Sequence, residues 1–194
     1  MKAQTSRQKQ AAATKRKIFM CAVSLFAEHA YEKVTINDIA NEAQVSVGAF
    51  YHHYKNKESI LNEGYRMFDD QLQEQWKNGH PSDCLKAMHF LVDHQMQSME
   101  QMGALASAQY FKNQLSNEEK YILNKERFFY ITIHDLVQEA ILNGMIVGDT
   151  QTITDDILSS CRGTIYDWCL HEGNYSLTDK GSRVLDMVIH YYQR

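Results

Sequence analysis

Apolar positions along the chain recur mostly at helical spacing. Ile18, Ala22, Leu25 and Phe26 fall at i, i+4, i+7 and i+8, which puts them on one face of a helix predicted over about residues 10–29. Thr35, with Asp38 three residues later, forms a capping box and opens a short helix over Ile36 to Ala43. Ser46 caps a second short helix from Val47 to about His53, and Asn56 caps a long one from Lys57 to about Lys77. Asn78-Gly79-His80-Pro81 reads as a loop. Beyond it the pattern predicts a helix from Ser82 to about Met102, an interruption at Gly103 and a short helix to Asn113. Ser116 with Glu119 predicts another capping box, opening one helix to about Leu142. Thr152 with Asp155 predicts a helix to about His171, and Ser176 or Thr178 opens the last, to about Tyr192. No segment alternates as a strand does. The start of the polar stretch Met1 to Thr14 is expected to be a mobile arm. The fold class expected is all-α: a small front module, then a larger helical bundle.

Composition agrees. One proline and nine glycines in 194 residues leave few breakers, and 44% hydrophobic residues exclude disorder as the main state. No run of about 18 apolar residues could span a membrane. Met1 to Lys17 is polar and basic, and no secretory signal is expected. Cys21, Cys84, Cys161 and Cys169 lie far apart without a CxxC pair, which argues against a disulfide framework and for a reducing cytoplasm. Neither HExxH nor a GxSxG elbow occurs, so no metal, no cofactor and no enzymatic activity are expected. Charge is uneven. Residues 1–57 carry nine Lys and Arg against four acids, net +5, while residues 58–194 carry net −9. A basic front on an acidic body points to a polyanion at the front.

Thr35 to Lys57 carries the chemistry. Two short helices are joined by about three residues in a basic setting, which is the helix-turn-helix pattern. In the first, Ile36, Ile39, Ala40 and Ala43 turn inward. In the second, Val47, Phe50, Tyr51 and Tyr54 supply apolar surface, with Phe50 and Tyr54 the firmer core residues. The major groove, about 12 Å wide, accepts a helix whose exposed N-terminal face is small. Val47, Gly48, Ala49 and His52 offer such a face.

Residue identities narrow this further. Phe26-Ala27-Glu28, Tyr31, Thr35 to Ala40, Ala43, Val45 to Tyr54 and Lys55 to Leu61 resemble the tetracycline-repressor (TetR) family of bacterial regulators. The resemblance spans about residues 15–65. It implies a DNA-binding domain over residues 1–56, with three helices and a basic arm, and a ligand-binding and dimerisation domain over residues 57–194. It implies that Thr35 and Ser46 hold DNA phosphates from helix N-termini. Tyr51, Lys55 and Lys57 would add further backbone contacts, and Val47, Gly48, Ala49 and His52 would face bases. Two positions depart from the family pattern: Ala30 and Gln44 stand where glycine is usual.

The body is rich in Met and aromatic residues. Met88, Met96, Met99, Tyr110, Phe111, Phe129, His134 and Trp168 are candidates to line a mostly apolar effector cavity. No Lys or Arg cluster lies among them, which argues against a highly anionic ligand. Ile157, Cys161, Gly163 and Ile165, with Val184, Val188 and Tyr191, form apolar faces on the last two helices and are candidates for a homodimer interface. The resemblance implies a four-helix interface that presents two recognition helices one turn of B-DNA apart. The function expected is a cytoplasmic, homodimeric regulator, a repressor released from a palindromic operator in double-stranded DNA by a small amphipathic or aromatic effector. A helical scaffold or partner-binding protein that has lost DNA recognition is the alternative.

Overall fold

The computed structural model describes residues 5–116 and 120–193. Among them the secondary structure is helical: α1 (Ser6–Glu28), α2 (Ile36–Glu42), α3 (Val47–His53), α4 (Lys57–Asn78), α5 (Cys84–Met102), α6 (Ala104–Ser116), a 3-10 turn at Tyr121–Leu123, α7 (Phe128–Leu142), α8 (Thr150–Leu170) and α9 (Leu177–Tyr192). Most helix starts follow from side-chain caps that replace missing backbone partners. Asp38 and Thr35 close the predicted box at α2, Ser46 accepts from Ala49 N–H at 3.1 Å, and Asn56 accepts from Ser59 N–H at 2.9 Å.

Four expectations change. Helix α1 begins at Ser6, where Thr5 and Gln8 form a capping box, earlier than the predicted residue 10; the start of the predicted arm lies outside the described residues. The single helix expected from Ser116 to Leu142 is divided. Ser116 ends α6 and its hydroxyl donates back to the Lys112 carbonyl at 3.0 Å, while Glu119 lies outside the described residues. The cap of α8 is Asp149, whose carboxylate accepts from Thr152 N–H at 2.8 Å; Thr152 is already inside the helix. Finally, Val47 and Tyr51 are 38% and 54% exposed, so only Phe50 and Tyr54 of the predicted inner face of α3 are core.

The chain divides into two units, Met1–Gly64 and Tyr65–Arg194, with the boundary inside α4. In the first, Ile18, Ala22, Phe26, Ile39, Ala40, Phe50 and Ile60 are buried around one centre. The turn between α2 and α3 passes through Gln44 at φ 52°, the left-handed conformation that glycine adopts most easily. Ala30, the other departure, has no positive φ. In the second unit α5 packs on α7 and α9, α8 packs on α6, α7 and α9, and no helix among the described residues is long and apolar enough to cross a membrane. The α5–α9 approach is close. A Cβ on Gly181 would stand 2.6 Å from Met96 Cγ. Glu100 of α5 also caps α9, accepting from Leu177 N–H at 2.6 Å and from the Thr178 hydroxyl at 2.8 Å.

Candidate nucleic-acid interface

Helix α3 presents a face made of Val47, Gly48, Tyr51 and His52, all exposed, with Ala49 half-buried beside them. Gly48 is informative. A Cβ there would meet only Ser46 Oγ, at 3.8 Å, so the unit's own packing does not call for glycine. Its small size leaves room for something outside the chain. Ser46 Oγ accepts from Ala49 N–H and keeps its own proton for an external acceptor. Tyr51 turns its ring edge-on to Phe50 at 5.6 Å, and its phenol has no protein partner among the described residues.

The other phosphate candidates are placed differently. Both the hydroxyl and the N–H of Thr35 donate to Asp38 Oδ2, at 2.7 and 2.8 Å. Those two bonds, the hydroxyl's first, hold the Asp38 carboxyl below its usual range. The N–H groups of Ile36 and Asn37, at the exposed start of α2, are the donors left for a phosphate. Lys55 is exposed. Lys57 is not a free cation. Its Nζ donates to the Tyr31 and Val34 carbonyls, both at 2.7 Å, and lies 4.3 Å from the Tyr31 ring centroid. It therefore ties the α1–α2 connection to the start of α4, and two of its three N–H donors are spent inside the chain.

Residues 18–63 match the family model described as bacterial regulatory proteins, tetR family. Over residues 18–63 the chain belongs to the TetR family. It is 25% identical over 190 residues to the probable acrEF/envCD operon repressor of Escherichia coli (strain K12), covering 92% of this chain and 86% of that one. It is 33% identical over 113 residues to the HTH-type transcriptional repressor KstR2 of Rhodococcus jostii (strain RHA1), covering 57% and 52%. Its fold is similar to that of the transcriptional regulator FadR from Bacillus subtilis, solved in complex with stearoyl-CoA, with TM-score 0.60 at 20% identity over 90% of this chain and 97% of that one. Like those TetR-family relatives, it is a DNA-binding transcriptional regulator.

In the body the candidate ligand residues separate by role. Met88 and Met96 are fully buried, and Met96 packs on Gly181. Met99 sulfur accepts from the Ser107 hydroxyl. Tyr110 stacks on Tyr65 with centroids 3.9 Å apart, and Phe111 is half-buried. Trp168 donates its indole N–H to the Tyr175 carbonyl at 2.9 Å and lies against Gly173, a core role. His134 lies near the surface, beside Asp135 and the Tyr130 ring. Phe129 lines a small, partly open pocket of about 20 Å³, together with Gln95, Arg127 and Arg162. These three polar residues were absent from the sequence-based candidates, and two of them are arginines. The expectation that no Lys or Arg cluster lies among the cavity residues did not include these two arginines, which line the pocket beside Phe129. An Arg directly before the aromatic run Phe128-Phe129-Tyr130 was the available signal.

The dimer candidates also separate. Ile157, Cys161 and Ile165 are buried within their own body, at 1%, 5% and 1% exposure, which removes them as a free face. Helix α8 has apolar residues on two sides, and that stripe faces inward. Burial pushes the Cys161 thiol up to about 12. Gly163 is exposed with open space around it, and Tyr166 and Leu170 flank it on the outer side of α8. On α9, Val184 and Val188 are half-buried, while Met187 and Tyr191 are 71% and 79% exposed.

Proposed function

We propose that this protein is a cytoplasmic homodimer that represses transcription from a palindromic operator and releases it when a small amphipathic effector binds the body. The recognition face of α3 carries the reading. Its small residues are exposed, Gly48 has no internal reason to be glycine, and Ser46 and Tyr51 keep phosphate-binding groups unpaired. Lys55 and the Ile36 and Asn37 N–H groups at the α2 N-terminus supply neighbouring backbone contacts, and Val47, Ala49 and His52 contact base edges. Gly163, Tyr166, Leu170, Met187 and Tyr191 supply the self-complementary apolar face of a two-fold dimer. Gly163→Leu fits within the isolated body but holds partner helices apart. The effector must bind the released state better than the DNA-bound one, or no population shifts.

Selection from random duplexes, followed by titration of the enriched sequence, tests this reading. A palindromic consensus is expected. Gly48→Ala should keep or raise stability, since Ala is better than Gly in a helix by about 1 kcal/mol, yet weaken operator binding. Failure to enrich any sequence would leave the scaffold alternative.

A further inference from the structure

The body contains a buried polar centre. Arg127, at the N-terminus of α7, forms a two-bond pair with Asp69 of α4: Nε to Oδ2 at 2.7 Å and Nη2 to Oδ1 at 3.0 Å. The guanidinium also lies 5.2 and 5.3 Å from the Tyr65 and Tyr121 ring centroids. Its third nitrogen, Nη1, has no hydrogen-bond partner among the described residues, and Arg127 lines the small pocket. Arg162 of α8 lines the same pocket. It is half-buried and makes no hydrogen bond or ion pair among the described residues. Gln95 of α5 lines it too, is 9% exposed, and has a buried Oε1 without a partner. Asp69 neutralises the Arg127 guanidinium, while the Arg162 guanidinium feels the Asp155 charge without forming an ion pair with it. Burial lowers the Arg162 pKa from its usual value; Cys161 and Asp155 oppose this, and the Arg127 charge acts in the same direction as burial. An anion in the pocket would relieve both.

We infer that this pocket is a carboxylate subsite, taking the head of an amphipathic monocarboxylic acid; the inference rests on the effector reading above. The guanidinium fork matches a carboxylate in shape and charge. A half-turn of the Gln95 amide, which leaves its shape unchanged, presents N–H donors to the same anion. The free volume of about 20 Å³ admits about one carboxylate oxygen and is too little for a phosphate chain; the pocket is partly open, so the rest of the acid extends outward from it. Phe129 and Leu158 on its wall suit the hydrocarbon that follows the head.

The full chain is titrated by calorimetry, without DNA, with two matched pairs: octanoate against octan-1-ol, and 3-phenylpropanoate against 3-phenylpropan-1-ol. At least one acid should bind about ten- to a hundredfold more tightly than its alcohol. Arg162→Gln should abolish that difference and Arg162→Lys should restore part of it. Because Arg162 holds no internal partner, both variants should fold, and far-ultraviolet circular dichroism checks this. Gln95→Leu should weaken the acid and leave the alcohol unchanged. Equal affinities within both pairs, no binding by either acid, or full discrimination in Arg162→Gln would each overturn the assignment. A chain that binds acids but no operator leaves the subsite standing and removes the regulator reading. One that binds operator but does not prefer acids does the reverse.

Discussion

Lys57→Met separates a structural lysine from a DNA-contacting one. Methionine keeps most of the apolar stem and removes the ammonium, with its two 2.7 Å bonds to Tyr31 and Val34 and its contact with the Tyr31 ring. A hydrogen bond from a charged group contributes about 1.5–3 kcal/mol, and an exposed cation–π contact about 0.5–1 kcal/mol. Lys57 is half-buried, so water recovers part of this. A net loss of about 2–4 kcal/mol in local stability is expected on that basis. Trp76 and Trp168 both lie beyond Gly64, so tryptophan fluorescence does not report on the first unit. Hydrogen exchange read by mass spectrometry does. Protection in peptides over α1 and α2 should fall by roughly 30- to 1,000-fold, since each tenfold is about 1.4 kcal/mol. The salt dependence of operator binding is the second reading. A phosphate contact would lower the logarithmic slope by about one per chain; a structural tie leaves it unchanged. A fall in slope with full protection over α1 and α2 would refute the structural role.

Three further outcomes follow from geometry. Gln44→Gly should stabilise the first unit by about 1 kcal/mol by relieving the left-handed turn, measured by the same exchange; a loss of protection would mean the Gln44 side chain matters more than its φ. Asp69→Asn should destabilise the body by about 3–5 kcal/mol in urea titration, because it leaves Arg127 buried and unpaired; a loss below about 1 kcal/mol would show the pair to be solvated. His53 has its pKa lowered, first by burial and then by the His52 charge. The unfolded chain therefore takes up the proton first, so this contribution is complete above about pH 6.5 and is lost as pH falls toward the folded value. His53→Asn should flatten that part of the pH–stability curve for α3, and an unchanged curve would assign the effect elsewhere.

Local rules made the front of the chain legible. A capping box needs only residues three apart, so Thr35 with Asp38, and Ser46 with Ala49 N–H, could be placed from sequence. The left-handed turn at Gln44 was readable for a similar reason, as the family's glycine position is a backbone requirement that survives replacement. Gly48 could be named but not explained, because only the surrounding atoms show that nothing inside the chain fills the space at its Cβ. Periodicity finds the apolar stripe of α8 but not its partner: Ile157, Cys161 and Ile165 belong to the body's own core, and the outer residues Tyr166 and Leu170 remain free. The break between Ser116 and Phe128 was hidden for the opposite reason, since Ser116 satisfies a capping pattern equally well at the end of a helix, by donating to Lys112. The ammonium of Lys57 is drawn to carbonyls 26 and 23 residues earlier, and Arg127 to a carboxylate 58 residues earlier. Neither spacing repeats in any pattern that sequence alone can carry. The sequence determined which segments are helical and which face of α3 is small. Where a charge finds its partner depends on which helices pack together, and that only the tertiary structure decided.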